Sequence, residues 1–460
     1  MNITSLLKDP RFIVIAILLI FMSAYFGVAF WYYHTYGQFT SDPASIANLL
    51  TIRRNVLSNA IDPLRPNDTN ISVQLLNNTF PYNQIVSQKT NALVNFRPMT
   101  VRLSGYLGGL YNVLDGVFDP DVGIRLALKQ GARAFVLDID YLEDSPCEPI
   151  IVYRDSRRYM RSLHTVAVSD VCHSIAKYGF EENRDPILVI VYLNRIPEGT
   201  TSKNTFFGKL ASAMDPFSKY NLGLTEQGNF HSCQSEDVLF KGLFTNYQQK
   251  FIILTNYDTS QLTRTSNPKD NLHFWTNARI YQDLSGLSAS LGSVTPPPPT
   301  SPMPQVTIGS TKQLLNISTT DGTSTKYATN SSTVFRIALS DVDYSYSVSD
   351  LATILNTLGV QCVPLDVLAL SASKDHKTTL QNSGSPNSLA DLTNATNSND
   401  PLSFWTHGGW SYKQVSGFHE GFTNPLPVAS PIPGYVIPTP IIPKKPPPST
   451  NSNGGLVNIA

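Results

Sequence analysis

Two aspartates, Asp138 and Asp140, end an apolar run in the stretch GARAFVLDIDYLEDSPCEPIIVYRD, residues 131–155. Because side chains of a β-strand alternate between its two faces, a spacing of two residues places both carboxylates on one face. Such a pair could bind a metal or another cation. Three arginines lie close enough in the sequence to form structural ion pairs with them instead: Arg133, Arg154 and Arg157. The sequence leaves both interpretations open.

A basic run follows the second apolar stretch and contains Arg154, Arg157, Arg158 and Arg161. Guanidinium groups match the geometry of phosphate, so this run could meet a phosphate group. A solvated surface loop is the alternative.

Three histidines could supply a group that titrates near neutral pH, which acid–base chemistry requires. His164 lies in the loop after the basic run, where a shift of the loop could bring it back to a site. His173 falls within a helical pattern, which favours a surface or packing role. His407 lies near the end of the last patterned stretch, where it could contact a ligand or form a structural hydrogen bond.

The elements that must position these residues alternate along the chain. Strands are predicted at 99–103, 132–140, 149–153, 187–193, 250–256, 334–339 and 361–366, and helices at 122–131, 168–180, 206–214 and 350–359. Continuous apolar strands separated by helices are typical of parallel strands that are covered on both faces. The pattern therefore predicts an α/β fold, a (β/α)8 TIM-like barrel. An open, doubly wound sheet is the alternative, although no glycine-rich phosphate loop follows the first strand.

Composition limits the partners. The chain has 460 residues, with 34 basic and 34 acidic side chains. A nucleic-acid-binding protein usually carries a basic domain or stripe, so nucleic acid is not expected as a partner. The four cysteines are Cys147, Cys172, Cys233 and Cys362. They could form one or two disulfides or remain buried thiols, and their spacing contains no CxxC pair typical of zinc sites.

Residues 12–33 contain no charged side chain and predict a transmembrane helix, since such a length spans a hydrocarbon core of ~30 Å. A cleaved signal peptide and a buried helix are the alternatives. Lys8 and Arg11 precede the segment, so residues 1–11 are predicted to be cytosolic and the C-terminal domain lumenal or extracellular (type II). Glycosylation sequons follow the segment at Asn67, Asn70, Asn77, Asn316, Asn330 and Asn394.

The remaining boundaries come from composition. Residues 34–97 are polar and predict a stalk or extension before a barrel at 98–415. A proline-rich insertion is predicted near 294–304. The tail, 416–460, is also rich in proline and could lie on a neighbouring protein or have no role.

The order of motifs resembles the X-domain of phosphatidylinositol-specific phospholipases C. The stretch from Gly131 to Arg133, then Asp138, then EPIIVY ending at Tyr153 is similar to the family's glycine turn, acidic strand end and following strand. The patterns at 168–180 and 185–193 resemble the next helix and strand. FWTHGGWSYK, residues 404–413, looks like the last barrel strand. The resemblance covers about residues 99–413.

The resemblance implies two catalytic histidines, one that removes a proton from the inositol 2-hydroxyl and one that protonates the leaving oxygen. In this sequence Gly105 or Tyr106 stands at the first position and Tyr153 at the second, followed by Arg154. Val136 stands where a calcium-binding glutamate would be. The resemblance therefore implies a degenerate site, with calcium as a cofactor if any activity remains.

The candidate site residues follow from both arguments. The catalytic candidates are Asp138, Asp140, Tyr153, Arg154 and His407, of which the two aspartates are also metal candidates. The ligand-binding candidates are Tyr106, Arg133, Arg154, Trp410 and Lys413. Two titratable groups near one point at the barrel mouth would favour an enzyme, whereas a mouth plugged by aromatic side chains would oppose it.

Three functions compete. The first is a membrane-anchored, catalytically degenerate barrel that acts as a structural or binding component. Its architecture resembles that of membrane proteins of large DNA viruses, which implies a virion location and partners in the bilayer and, through the tail, among virion or membrane proteins. The second is an active phosphodiesterase on a phosphoinositide-like lipid with a rearranged site. The third is a receptor for a lipid or glycan.

Overall fold

A computed structural model of the protein describes most of the predicted barrel and two N-terminal helices. The described residues are 10–32, 43–61, 91–103, 118–154, 160, 162, 164–222, 224–225, 228–229, 239–259, 262, 268–282, 306–318, 327, 330–339, 348–365 and 409–413. Several predicted features lie outside these ranges: residues 294–304 and 416–460, and Asn67, Asn70, Asn77, Tyr106, Cys233, Asn394 and His407.

A sheet dominated by parallel strands forms the centre. The strands, in chain order, are β1 (Phe96–Pro98), β2 (Thr100–Arg102), β3 (Ala134–Leu142), β4 (Ser145–Ile151), β5 (Val166–Ala167), β6 (Ile187–Leu193), β7 (Leu224–Thr225), β8 (Gly228–Asn229), β9 (Phe251–Thr255), β10 (Ala278–Gln282), β11 (Val306–Ser310), β12 (Phe335–Leu339), β13 (Pro364–Leu365) and β14 (Trp410–Tyr412). The central order is β12-β11-β10-β9-β6-β3-β2-β13, and each pair along it is parallel.

The sheet curls until its two ends share one segment of chain. On one side Pro364 pairs in parallel with Thr100 of β2. On the other side Cys362 forms a parallel bridge with Ile337 of β12, and the Ala338 amide donates a 2.8 Å hydrogen bond to the Cys362 carbonyl. The predicted α/β class and a curled, barrel-like sheet are thus confirmed.

Two hydrophobic clusters lie on opposite faces of this sheet. Alternate strand residues such as Val136 and Ile190 face the inside of the curl. Their neighbours Leu137 and Val191 pack outward against helices, for example against Val171. Because both faces are covered by apolar side chains, the strands read as continuous apolar runs in the sequence.

The described helices lie before the barrel and on its outer face. They are α1 (Pro10–Tyr32), α2 (Pro43–Ile61), α3 (Pro120–Lys129), α4 (Val168–Tyr178), α5 (Thr200–Ala213), α6 (Leu272–Trp275), α7 (Thr311–Ser318) and α8 (Val348–Ala352), which continues as a π-helical turn, Thr353–Thr357. Helix α3 begins at Asp119, whose side chain accepts a hydrogen bond from the Val122 amide. It ends before Gly131, which has a φ of 107° and provides the left-handed turn that the sequence predicts.

Strand β4 departs from the prediction. The apolar stretch at 149–153 is expected to add a strand to the barrel, but β4 pairs antiparallel with β3 and forms a hairpin with it. The turn at Glu143 and Asp144 is only two residues long, which favours a hairpin over a crossover to a parallel strand. Strand β5 then pairs antiparallel with β4.

Strand β14 also differs from the prediction of a last barrel strand. It pairs antiparallel with β1, with Phe96 opposite Tyr412. The carbonyl of Gly409, just before β14, accepts a 2.6 Å hydrogen bond from the Met99 amide. The indole N–H of Trp410 donates to the Pro186 carbonyl, immediately before β6. Strands β1 and β14 therefore lie across the amino-terminal end of the barrel, as a floor.

The N-terminal residues form two helices. Helix α2, within the predicted stalk, packs against α3, where Arg54 forms an ion pair of 2.6 Å with Asp119. Helix α1 coincides closely with the predicted anchor, and its described side chains, residues 14–30, are mostly exposed. Within the described residues, the structure contains no helix that combines the length and hydropathy of a membrane span. The anchor and its orientation remain sequence predictions.

Candidate functional site

The carboxyl ends of the parallel strands meet at one rim of the barrel, here called the mouth. Arg102 ends β2, Asp138 lies in β3, and Tyr192 lies in β6 directly opposite Asp138. Asp138 continues the alternation of inward residues that includes Val136, so its side chain enters the mouth from inside. In barrels of this architecture, functional side chains gather at this rim.

Asp138 forms a bidentate ion pair with Arg102. The Arg102 Nε donates to Asp138 Oδ2 at 2.8 Å and Nη2 donates to Oδ1 at 2.6 Å. The carboxylate is 1% exposed. Both of its oxygens therefore accept hydrogen bonds from one guanidinium, in the parallel geometry that makes arginine–carboxylate pairs strong.

Asp140 holds two arginines. Arg154 Nε donates to Oδ2 at 2.7 Å, and Arg195 Nε donates to Oδ1 at 2.7 Å. The Tyr141 amide also donates to Oδ1 at 2.7 Å. Because Arg154 follows β4 and Arg195 follows β6, the fully buried Asp140 carboxylate joins three segments of chain at the mouth.

The turn of the β3–β4 hairpin adds a third carboxylate to this cluster. Glu143 accepts a 2.8 Å hydrogen bond from Arg195 Nη1 and lies 3.6 Å from Arg154 Nη2. Its side chain is 70% exposed. The Arg195 hydrogen bond lowers the pKa of Glu143. Arg195 also stacks on the Tyr141 ring, 4.4 Å from its centroid.

The other aromatic and histidine candidates contact the backbone or neighbouring side chains or lie at the surface. Tyr153 is buried, and its backbone amide donates to the Ser162 hydroxyl at 3.3 Å. His164 Nε2 lies 3.2 Å from the Phe118 carbonyl oxygen. His173 is exposed on α4. Burial raises the pKa of Tyr192, opposite Asp138, which keeps its phenol protonated.

Three ligand-binding candidates lie at the floor, away from the mouth. Arg133 precedes β3 and donates to the Gly179 carbonyl at 2.7 Å. Trp410 is in β14, and Lys413 donates to the Ser331 carbonyl, before β12, at 2.8 Å. The structure therefore does not bring Arg133, Trp410 and Lys413 together with Asp138 and Asp140, because their bonding partners precede the strands.

The two aspartates do not fit a calcium site in this arrangement. Calcium takes six to eight oxygen ligands, whereas guanidinium groups already neutralise both carboxylates. In the ranges that the structure describes, no group of three or more histidine, cysteine, aspartate or glutamate side chains could hold a metal ion.

The cysteines that the structure describes, Cys147, Cys172 and Cys362, are free thiols, so these three form no disulfide with one another in the structure. Each belongs to a separate element or segment, and two are buried in the core, where burial raises the pKa of Cys362 to about 12. Two sequon asparagines are also described: Asn316 is exposed on α7 and Asn330 is half-buried.

Arg102 and Arg195 are the site residues that the sequence interpretation missed. Each lies at or just after the end of an apolar strand, and this position in the sequence is the signal that could have indicated a place at the mouth. Which carboxylate they meet depends on strand order, because β3 lies between β2 and β6.

Comparisons with known proteins give matches among solved structures only. No family model matches the chain, and no curated protein does. PLC21 of L. pealei is 14% identical, with a TM-score of 0.42, over 72% of this chain and 39% of that protein. A phosphatidylinositol-specific phospholipase C from Listeria monocytogenes is 10% identical, with a TM-score of 0.31, over 69% and 89% of the two chains.

A Ca2+-dependent phosphatidylinositol-specific phospholipase C from Streptomyces antibioticus is 12% identical, with a TM-score of 0.31, over 63% of this chain and 91% of that one. The chain thus aligns with well under two thirds of the length of PLC21. These matches do not bear on the resemblance to viral membrane proteins, which stays a prediction.

Proposed function

We propose that this protein uses a phospholipase-C-like barrel as a binding or structural module and does not hydrolyse phosphodiesters by paired acid–base chemistry. The main support for this proposal is that arginine side chains form ion pairs with both carboxylates at the mouth. Asp138 binds Arg102 through both oxygens, and Asp140 binds Arg154 and Arg195.

A general base needs an oxygen or nitrogen that can reach the proton it removes. Both oxygens of Asp138 and both of Asp140 accept hydrogen bonds from cationic groups, and neither carboxylate is exposed. Moving either one toward a substrate would leave a partly buried arginine without its buried counter-ion, which is costly. These contacts support a structural role for the two aspartates.

The positions that the family resemblance assigns to histidine add support where they are described. Tyr153 occupies one such position and is buried in the outer core beside Ser162. A buried phenol is a poor proton acceptor at neutral pH. The other position falls outside the described residues.

The test is a hydrolysis assay of the full chain, solubilised in detergent, on phosphatidylinositol. We expect no release of inositol phosphate above the uncatalysed rate, with calcium or with a chelator. Asp138→Asn is the variant of choice and Asp144→Asn, on the exposed hairpin turn, is its matched control. Turnover by the wild type that Asp138→Asn abolishes and Asp144→Asn preserves would overturn the proposal.

We further propose that helix α1 attaches the protein to a lipid bilayer. Its exposed side chains include Leu18, Phe21 and Val28, and large contiguous apolar surfaces usually contact a membrane or a partner. Extraction of membranes at alkaline pH tests this proposal. The chain should stay with the membrane pellet, whereas release into the supernatant would contradict it.

A further inference from the structure

The turn of the β3–β4 hairpin places the exposed carboxylate of Glu143 against Arg154 and Arg195, which Asp140 also binds. Arg154 and Arg195 converge on Asp140, which occupies the Nε side of both guanidinium groups. The Nη2 groups of Arg195 and Arg154 donate to the Tyr141 carbonyl, at 2.6 Å and 3.3 Å. Glu143 lies 2.8 Å from Arg195 Nη1 and 3.6 Å from Arg154 Nη2. One acidic side chain thus takes the place that an external anion would take.

The charges of this cluster favour exchange. Asp140 is buried and held by both arginines, so its carboxylate offsets the charge of one guanidinium group. Glu143 supplies the second negative charge from the surface, where an ion pair contributes little because water and salt screen it. Arg154 and Arg195 are 14% and 22% exposed, so their outer edges reach solvent.

We infer that Arg154 and Arg195 form an anion-binding fork that Glu143 covers, and that a phosphate group can displace Glu143. Two guanidinium groups held by a common carboxylate are preorganised, and arginine recognises phosphate through paired N–H donors. Displacement requires only that the Glu143 side chain turn into solvent, because it lies on a two-residue turn. This inference rests on the proposed binding role and names its ligand chemistry.

The first experiment is a titration of the full chain with inorganic phosphate, followed by the side-chain Nε–H resonances of arginine in nuclear magnetic resonance spectra. Glu143→Gln removes the covering charge, and we expect it to tighten phosphate binding by about two- to fivefold, the value of an exposed ion pair. Asp144→Asn removes one negative charge from the neighbouring, exposed position and is the matched control; we expect no such gain.

A second variant tests the fork itself. Arg154→Lys keeps the charge but removes the planar pair of donors, so phosphate affinity should fall by about tenfold while the fold, followed by circular dichroism, persists. Equal affinities of the wild type, Glu143→Gln and Asp144→Asn would overturn the inference. So would the absence of phosphate binding in all variants.

A binding assay with lipid vesicles distinguishes a lipid headgroup from a soluble anion as the source of the phosphate. Full chain is mixed with vesicles of phosphatidylcholine, with or without an equal part of phosphatidylinositol. A gain for Glu143→Gln over Asp144→Asn only on the mixed vesicles identifies a lipid headgroup, and a gain only with inorganic phosphate identifies a soluble anion. Release of inositol phosphate in the same samples would overturn the proposed function and leave the binding result to be judged separately.

Discussion

The two ends of the barrel bind their cationic side chains in different ways. At the mouth, Arg102, Arg154 and Arg195 meet carboxylates. At the floor, Arg133 and Lys413 donate to the backbone carbonyls of Gly179 and Ser331. The mouth thus binds its arginines through ion pairs, whereas the floor binds Arg133 and Lys413 through hydrogen bonds to neutral carbonyls. The charges of Asp185 and Glu182 also act on Arg133 and partly oppose the effect of its burial.

This difference appears in the proton affinities of the cationic groups. Burial lowers the pKa of Arg133 to about 10 and that of Lys413 to about 7. At the mouth the Glu143 and Asp140 carboxylates raise the pKa of Arg195, against the effect of its partial burial. Burial of the charged Arg133 and Lys413 therefore destabilises the folded protein, whereas the ion pairs at the mouth stabilise it.

We expect the largest loss of stability from a substitution that breaks the ion pairs at the mouth. Asp140→Asn leaves Arg154 and Arg195 around a neutral amide, and we expect a loss of about 3–5 kcal/mol in the free energy of unfolding, typical of removing one partner from a buried ion pair. Urea denaturation measures it. Asp144→Asn should stay within about 0.5 kcal/mol of the wild type. An unchanged midpoint for Asp140→Asn would show that the cluster is not structural.

The floor should respond to pH. The pKa of Lys413 falls from 10.5 to about 7 on folding, mainly through burial and also through Arg336. Between pH 7 and 10 the unfolded chain binds this proton and the folded chain does not, so stability rises with pH across that window. Below pH 7 the penalty is present in full. Lys413→Met should remove this dependence, on the order of 4 kcal/mol between pH 7 and 10.

Denaturation of both proteins at pH 7 and pH 10 checks this. The quantity compared is the difference in unfolding free energy between the wild type and Lys413→Met, which cancels most other titrations. A difference that stays constant with pH would mean that Lys413 is charged in the folded protein.

Gly409 provides a purely steric test of the floor. It has a φ of 84°, and an added Cβ would overlap the carbonyl oxygen of Gly131. We expect Gly409→Ala to cost about 2–3 kcal/mol by thermal or urea denaturation. Gly208→Ala, in α5 with open space around it, should instead stabilise by up to about 1 kcal/mol. Equal effects would mean that β14 is not needed in this position.

The smallest effect should come from the exposed ion pair between Lys209 and Glu148, which links α5 to β4. Because both side chains are largely exposed, Glu148→Gln should change stability by less than about 1 kcal/mol and should lose even that at high salt. A change as large as that of Asp140→Asn would erase the contrast between buried and surface charges.

The sequence predicts the elements better than their connections. Strand β6 is found at the predicted residues, 187–193, because a β-branched apolar run has one favourable environment, a sheet covered on both faces. The prediction that Asp138 and Asp140 share a face also follows from local geometry. Both prove to meet arginines.

The partners of these aspartates depend on features that no local pattern contains. Arg102 reaches Asp138, and Arg195 reaches Asp140, because β2 and β6 flank β3 in the sheet. Arg133 has the right charge but precedes β3, at the opposite end from Asp140. Similarly, the short β14 has nothing in its composition that separates an antiparallel floor strand from a parallel barrel strand.

The floor has a consequence for how the chain folds during synthesis. Its two strands, β1 and β14, are more than three hundred residues apart in the sequence. Arg97 Nε donates a hydrogen bond to the hydroxyl of Ser411, which lies 314 residues further along the chain. Contacts of such long range are slow to form, since the loop between them must close first. A ribosome-bound chain therefore exposes the open base of its barrel until residues 410–412 emerge, and its need for chaperones should be greatest in that interval.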